Sequence, residues 1–238
     1  MGFPHTDGPP DGPRRRDVPA AESRPAARRP ADTRLALLRT AERLFAERGV
    51  DAVSMREIAA AAGQANHSAA LYHFEGKREL LNSLLERHSD PIQEAWLVAL
   101  DRMIAEGRES LSELVGLMVR DVVGKLDDPD GGTEYLLVVA DLVSSRSFPI
   151  VSMPAVSAPG ILELWARMVH HSGPIPPEFL QLRMMRVASV LYCSIANYHM
   201  LVSVGLAVPR DAFIEDLIAA LVAVIGAGVR PDALPTES

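Results

Sequence analysis

A chain of 238 residues that is 48% hydrophobic is long enough to bury a sizeable core, and its single cysteine, Cys193, excludes an internal disulfide and any site built from several thiolates. Aromatic residues make up only 5%, and Asn-Gly or Asp-Gly hairpin turns between alternating runs are missing, so the composition predicts an all-α protein. The formal charge of −7 is unevenly spread: residues 1–80 hold 13 Lys and Arg against 11 Asp and Glu, whereas residues 81–238 hold 11 against 20. A protein that is acidic overall still binds nucleic acid when the contacting face is locally basic.

Residues 1–31 are rich in Pro, Gly, Arg and Ala without apolar periodicity, and a disordered arm is expected there. No apolar core of a secretory signal interrupts it, so a cytoplasmic protein is expected. Helical periodicity starts at Asp32: Leu38, Ala41 and Phe45 fall on one face, Asp32 or Thr33 is placed to cap, and Gly49 is placed to end the helix. Ser54 then opens a second helix with a capping box to Glu57, and Met55, Ile58, Ala59 and Ala62 form its inward face up to Gly63.

The stretch "AAAGQANHSAALYHFEGKREL", residues 60–80, follows a glycine turn with a third short helical signal from Asn66–Ser68 to Phe74. Two short helices joined by such a turn and packed on a longer first helix make a helix-turn-helix, whose third helix reads DNA. The amides of Gln64 and Asn66 suit the paired donor and acceptor of adenine, and His67, Ser68, Tyr72 and His73 suit bases or phosphates. Lys77 is placed as a phosphate anchor, with Ser54 and Arg56 at the start of the second helix as further contacts. Leu71 and Phe74 supply the inward grip.

Residues 33–81 resemble the N-terminal domain of the TetR family of bacterial transcriptional regulators, through "AERLFAERGVDAVSMREIAAAAG", a short polar turn, an aromatic-His-Phe cluster and "GKRELL". The stretch "GQANHSAALYHF" has one residue more between Gly63 and Phe74 than the common family pattern, and the resemblance assigns the phosphate-binding tyrosine to Tyr72. It implies a homodimer that reads a pseudo-palindromic double-stranded DNA operator and is released by a small-molecule effector, most often a repressor, with activation as the alternative.

A fourth helix is expected from about Lys77 to Glu106, interrupted or shifted around Asp90-Pro91. Further helices are expected over about 109–126, 133–146, 160–171, 177–206 and 210–226, with the Pro- and Ser-rich loop "FPIVSMPAVSAPG" between the second and third of these runs. The domain boundaries expected are a helix-turn-helix domain over 32–80, a helical ligand-binding and dimerisation domain over 81–228, and a disordered tail over 229–238. Residues 187–208 carry no charge, but Ser194, Asn197 and His199 sit near their middle, which favours a helix buried in protein over a membrane span.

By the same resemblance a ligand pocket lies in the second domain, lined by Trp96, Met103, Met118, Tyr135 and Met153, and by Trp165, Met168, Met185, Asn197 and His199. Methionines adapt to irregular apolar ligands, and the Asn, His and Tyr groups orient them, so the expected effector is mostly apolar. Dimerisation is expected through 177–206 and 210–226. No nucleophile elbow, zinc-protease motif, phosphate-binding loop or dinucleotide glycine pattern is present, so neither catalysis nor a cofactor or metal is expected. The rival reading is a helical carrier of apolar ligands without DNA binding.

Overall fold

The computed structural model describes residues 1–2, 30–63 and 73–228, and the described residues are helical with no strand. The arm before Pro30, the polar stretch 64–72 and the tail 229–238 lie outside them. Helix α1 (Pro30–Arg48) begins two residues before Asp32, with proline in the first turn, where its missing N–H costs nothing. Leu37, Leu38, Ala41, Leu44 and Phe45 are buried along one face. Gly49 ends α1 at φ 82°, and its N–H donates to the Phe45 carbonyl at 2.8 Å. Helix α2 (Met55–Ala61) starts on the expected Ser54 cap and buries Ile58 and Ala59.

Helix α3 (Lys77–Ala105) is continuous, so the expected break at Asp90-Pro91 is corrected. Pro91 removes one internal hydrogen bond, the one to the Arg87 carbonyl. The flanking helix is held by buried contacts on both sides, with Leu80, Leu81, Leu84 and Leu85 before the proline and Trp96, Leu100 and Met103 after it. Ser110 caps α4 (Leu111–Gly124), accepting from the Glu113 N–H at 3.3 Å. Helix α5 (Gly132–Leu142) stops four residues short of the expected end. The proline-rich loop forms two short 3-10 turns, Ile150–Ser152 and Pro154–Ser157.

Helices α6 (Pro159–His171) and α7 (Pro177–Ser203) each start on a proline, and α8 (Arg210–Gly226) closes the described bundle. Helix α8 packs on α4 and α7, α6 on α3 and α4, and α5 on α7 and α1. The buried Arg183 guanidinium of α7 donates to the carbonyls of Val224 at 2.8 Å and Ile225 at 2.6 Å, satisfying orphan acceptors at the end of α8. Helix α7 is less covered than expected: only 22% of its most apolar 18-residue window is buried, because α5 and α8 cover one side of it. By length and composition alone it is apolar enough to cross a membrane. Cys193 is half-buried within it.

Candidate functional site

The N-terminal region positions its second helix by local hydrogen bonds. The Ser54 N–H and hydroxyl both donate to Glu57 Oε2 at 2.8 Å, and the Glu57 N–H donates back to Ser54 Oγ at 3.3 Å. Arg48 at the end of α1 donates to Glu57 Oε1 at 2.9 Å. Hydrogen bonds from Ser54, then from Arg48, hold the Glu57 carboxyl down at about 2. The helix that precedes the polar stretch is thereby pinned at its start, and Ser54 and Arg56 stay exposed beside it. Arg56 makes no hydrogen bond or ion pair to another described residue, which leaves its guanidinium available to a phosphate.

Gln64, Asn66, His67, Ser68 and Tyr72 lie outside the described residues. The ends of their segment are fixed: Gly63 takes φ 72° after α2, His73 is half-buried, and Phe74 is buried at 1% exposure against the core of α1. The Arg34 guanidinium stands 4.9 Å from the Phe74 ring centroid and donates to Ser83 Oγ at 2.8 Å. Lys77, expected as a phosphate anchor, turns its ammonium to the Val50 carbonyl, with the rings of Phe148 and Phe45 at 5.2 and 5.5 Å. Burial lowers its pKa, against the opposing pull of Asp51, Glu57 and Asp141. Lys77 thus closes the corner between α1 and α2 from inside.

A second region lies between α3, α4, α5, α6, α7 and the 3-10 turns, where a cavity of about 140 Å³ opens to the surface beside Val151. Six of the ten expected lining residues come together there: Trp96, Met118, Tyr135, Trp165, Met168 and Met185. Met103 and Met153 are buried but outside its wall. Asn197 is exposed and His199 half-buried on parts of α7 away from the cavity, which corrects their expected role. The helix presents Leu191 and Tyr192 inward instead. The sequence reading missed Leu85 and Ser89, which share the cavity face of α3 with Trp96 at helical spacing, and Tyr192, which lies within the charge-free run.

Polar groups line the space between the two regions. Glu42 of α1 is buried and accepts from Arg87 Nη1 at 2.6 and 2.8 Å. His88 Nε2 lies 3.0 Å from both Glu42 Oε1 and Arg87 Nη1, which draws the imidazole into the same buried cluster. The His88 ring stacks on cavity-lining Tyr135 at 4.8 Å. Arg87 and Arg39 both pair with Asp130, at 2.5 and 2.8 Å, in the loop before α5. Asp141 of α5 accepts from the Val50 N–H at 2.7 Å. Helix α5, which gives Tyr135 and Val139 to the cavity wall, is thereby tied through Asp141 to the connection between α1 and α2.

Residues 37–84 match the model of the bacterial regulatory proteins, tetR family. Over 69 residues the chain is 41% identical to the HTH-type transcriptional repressor BepR of Brucella suis biovar 1 (strain 1330); the match covers 29% of this chain and about a third, 32%, of that protein. Among solved structures, a TetR-family regulator from Streptomyces coelicolor A3 aligns at 21% identity over 87% of this chain and 99% of the other, with a TM-score of 0.41. A gamma-butyrolactone receptor described as ArpA-like aligns at 23% identity over 81% and 96%, with a TM-score of 0.42.

Proposed function

We propose that this chain, whose residues 37–84 match the model of the bacterial regulatory proteins, tetR family, is a DNA-binding transcriptional repressor whose operator affinity is lowered by a small molecule held between its C-terminal helices. The observation that carries the reading is the family match over residues 37–84, the region built on the Ser54-capped α2, α1 and the start of α3. Gln64, Asn66, His67, Ser68, Tyr72 and His73 read the operator in this proposal, with Ser54 and Arg56 at the flanking phosphates. Lys77 serves first as the clamp on the α1–α2 corner.

Two copies related by a two-fold axis reach successive major-groove faces of a pseudo-palindrome, about 34 Å apart. Helices α7 and α8 supply the contact between copies, since the outward side of α7 and the 204–208 connection leave apolar side chains in solvent. An effector in the cavity displaces Tyr135, and through the stacked His88 ring and its bond to Glu42 the displacement reaches α1. The effector acts only to the extent that it favours the rearranged state over the DNA-binding one.

Selection of DNA from a random duplex pool with the full-length protein tests the reading. Enrichment of two-fold symmetric sites, with binding that weakens steeply as salt rises, is the expected result. Failure to retain any duplex at low salt would favour the carrier without DNA binding.

A further inference from the structure

The wall of the cavity is apolar and, among the described residues, contains no Asp, Glu, Lys, Arg or His. A charged ligand would lie there without a counter-ion and would lose its hydration with nothing in return. Five lining side chains carry a polar atom: Ser89, Trp96, Tyr135, Trp165 and Tyr192. The Trp96 indole N–H donates to Asp121 Oδ2 at 2.9 Å. Trp165 is only half-buried. Burial raises the pKa of both the Tyr135 and the Tyr192 hydroxyl, so they stay neutral, and neither is left both buried and unpartnered.

Ser89 is the exception. The residue is 9% exposed, it lines the cavity, and its Oγ is buried with no hydrogen-bond partner. A serine within a helix ordinarily turns its hydroxyl back to the carbonyl four residues earlier, as Ser189 does to Met185 at 2.9 Å. Ser89 makes no such bond. Gln93, one turn along, also has a buried unpartnered Nε2, but it does not line the cavity. Ser89 is thus the point on the wall where a buried donor is unused, and a buried polar group without a partner is a departure that calls for one.

Size narrows the occupant. A dry apolar cavity of roughly 150 Å³ admits a molecule as large as benzene, and this one measures about 140 Å³. We propose that the cavity binds an uncharged molecule of about one ring in size, with an apolar body and a single carbonyl or hydroxyl oxygen that accepts a hydrogen bond from Ser89. Met118, Met168, Met184 and Met185 surround the body and adjust to its outline. The inference rests on the reading of this cavity as the effector site, but it concerns binding and not the DNA response.

The test is calorimetric titration of the full-length protein with acetophenone, ethylbenzene and benzoate, which share a ring and differ in acceptor and charge. Acetophenone and ethylbenzene saturate one site per chain, and benzoate does not at the concentration that saturates acetophenone. In Ser89→Ala the acetophenone-to-ethylbenzene affinity ratio falls about five-fold, the worth of one neutral hydrogen bond. Ser89→Cys, close in volume but a weak donor, lowers it in the same direction. An unchanged ratio in both variants, benzoate binding as tight as acetophenone, or no binding of any probe overturns the proposal. The regulator reading fails separately: probes that bind as described while selected DNA is held equally in their presence leave the cavity assignment standing and remove the effector response.

Discussion

Glu57 ties the end of α1 to the start of α2, because one carboxylate accepts from the Ser54 backbone, the Ser54 hydroxyl and Arg48. Its pKa is lowered from 4.5 to about 2, so the folded state binds this proton more weakly than the unfolded chain. The bonds of the charged form therefore support the fold fully above pH 4.5, and that support is lost as pH falls through about 2. Carboxyl-carbon chemical shifts followed against pH should place the Glu57 midpoint near 2, and Ser54→Ala should move it up toward 4.5; a midpoint already at 4.5 in the unmodified protein would mean that the cap is not made in solution. Glu42 differs in being buried, with Arg87 at 16% and His88 at 3% side-chain exposure around it. Glu42→Ala removes the buried acceptor that Arg87 and His88 share, leaving Arg87 only its pair with Asp130, and should cost about 3 kcal/mol, lowering Tm by roughly 6–12 °C. Arg39→Ala, which opens a pair exposed on both sides, should cost under about 1 kcal/mol, and thermal unfolding of the two variants checks the contrast.

At the scale of elements, what was legible in the sequence follows from how local the cause is. Ser54 and Glu57 are three residues apart and Gly49 closes its own helix, so α1 and α2 could be read from spacing alone. The continuity of α3 through Pro91 could not, because it depends on burial of leucines before the proline and of Trp96 and Leu100 after it by other helices. The cavity was half legible: its methionines and tryptophans stood out by type, whereas Ser89 and Tyr192 are assigned by the direction each helix turns. Asn197 and His199 were misplaced for the same reason, since they share α7 with Leu191 but not its inward side. Gly160 illustrates a constraint with no sequence signature. A Cβ there would lie 2.8 Å from the Gln93 carbonyl oxygen and 3.0 Å from its Cα, so α6 approaches the backbone of α3 closely. Gly160→Ala must push the two helices apart and should destabilise by about 1–3 kcal/mol in denaturant titration. Gly228→Ala, which meets open space, serves as the control and should be near neutral.

At the scale of the whole molecule, the end of α7 and its connection to α8 leave apolar side chains uncovered. Met200 and Val202 at the end of α7 are each 51% exposed, and Val204, Leu206 and Val208 in the connection to α8 are 58%, 72% and 56% exposed. Farther along α8, Ala219, Ala220 and Ala223 are also exposed, small residues that let another helix approach closely. A two-fold axis through this face brings each residue near its own copy or near a neighbour's, so one substitution is felt twice per dimer. Leu206→Glu then places two carboxylates in an apolar contact, where their desolvation is uncompensated. The protein should sediment as a dimer and the variant as a monomer at micromolar concentration, with unchanged helical circular dichroism. The monomer should also hold only one half of a selected palindrome, so its affinity for the full site should fall to that for a half-site. A variant that stays dimeric at every concentration would move the contact away from this face, and a monomer that keeps the affinity of the full site would break the link between two-fold symmetry and DNA reading.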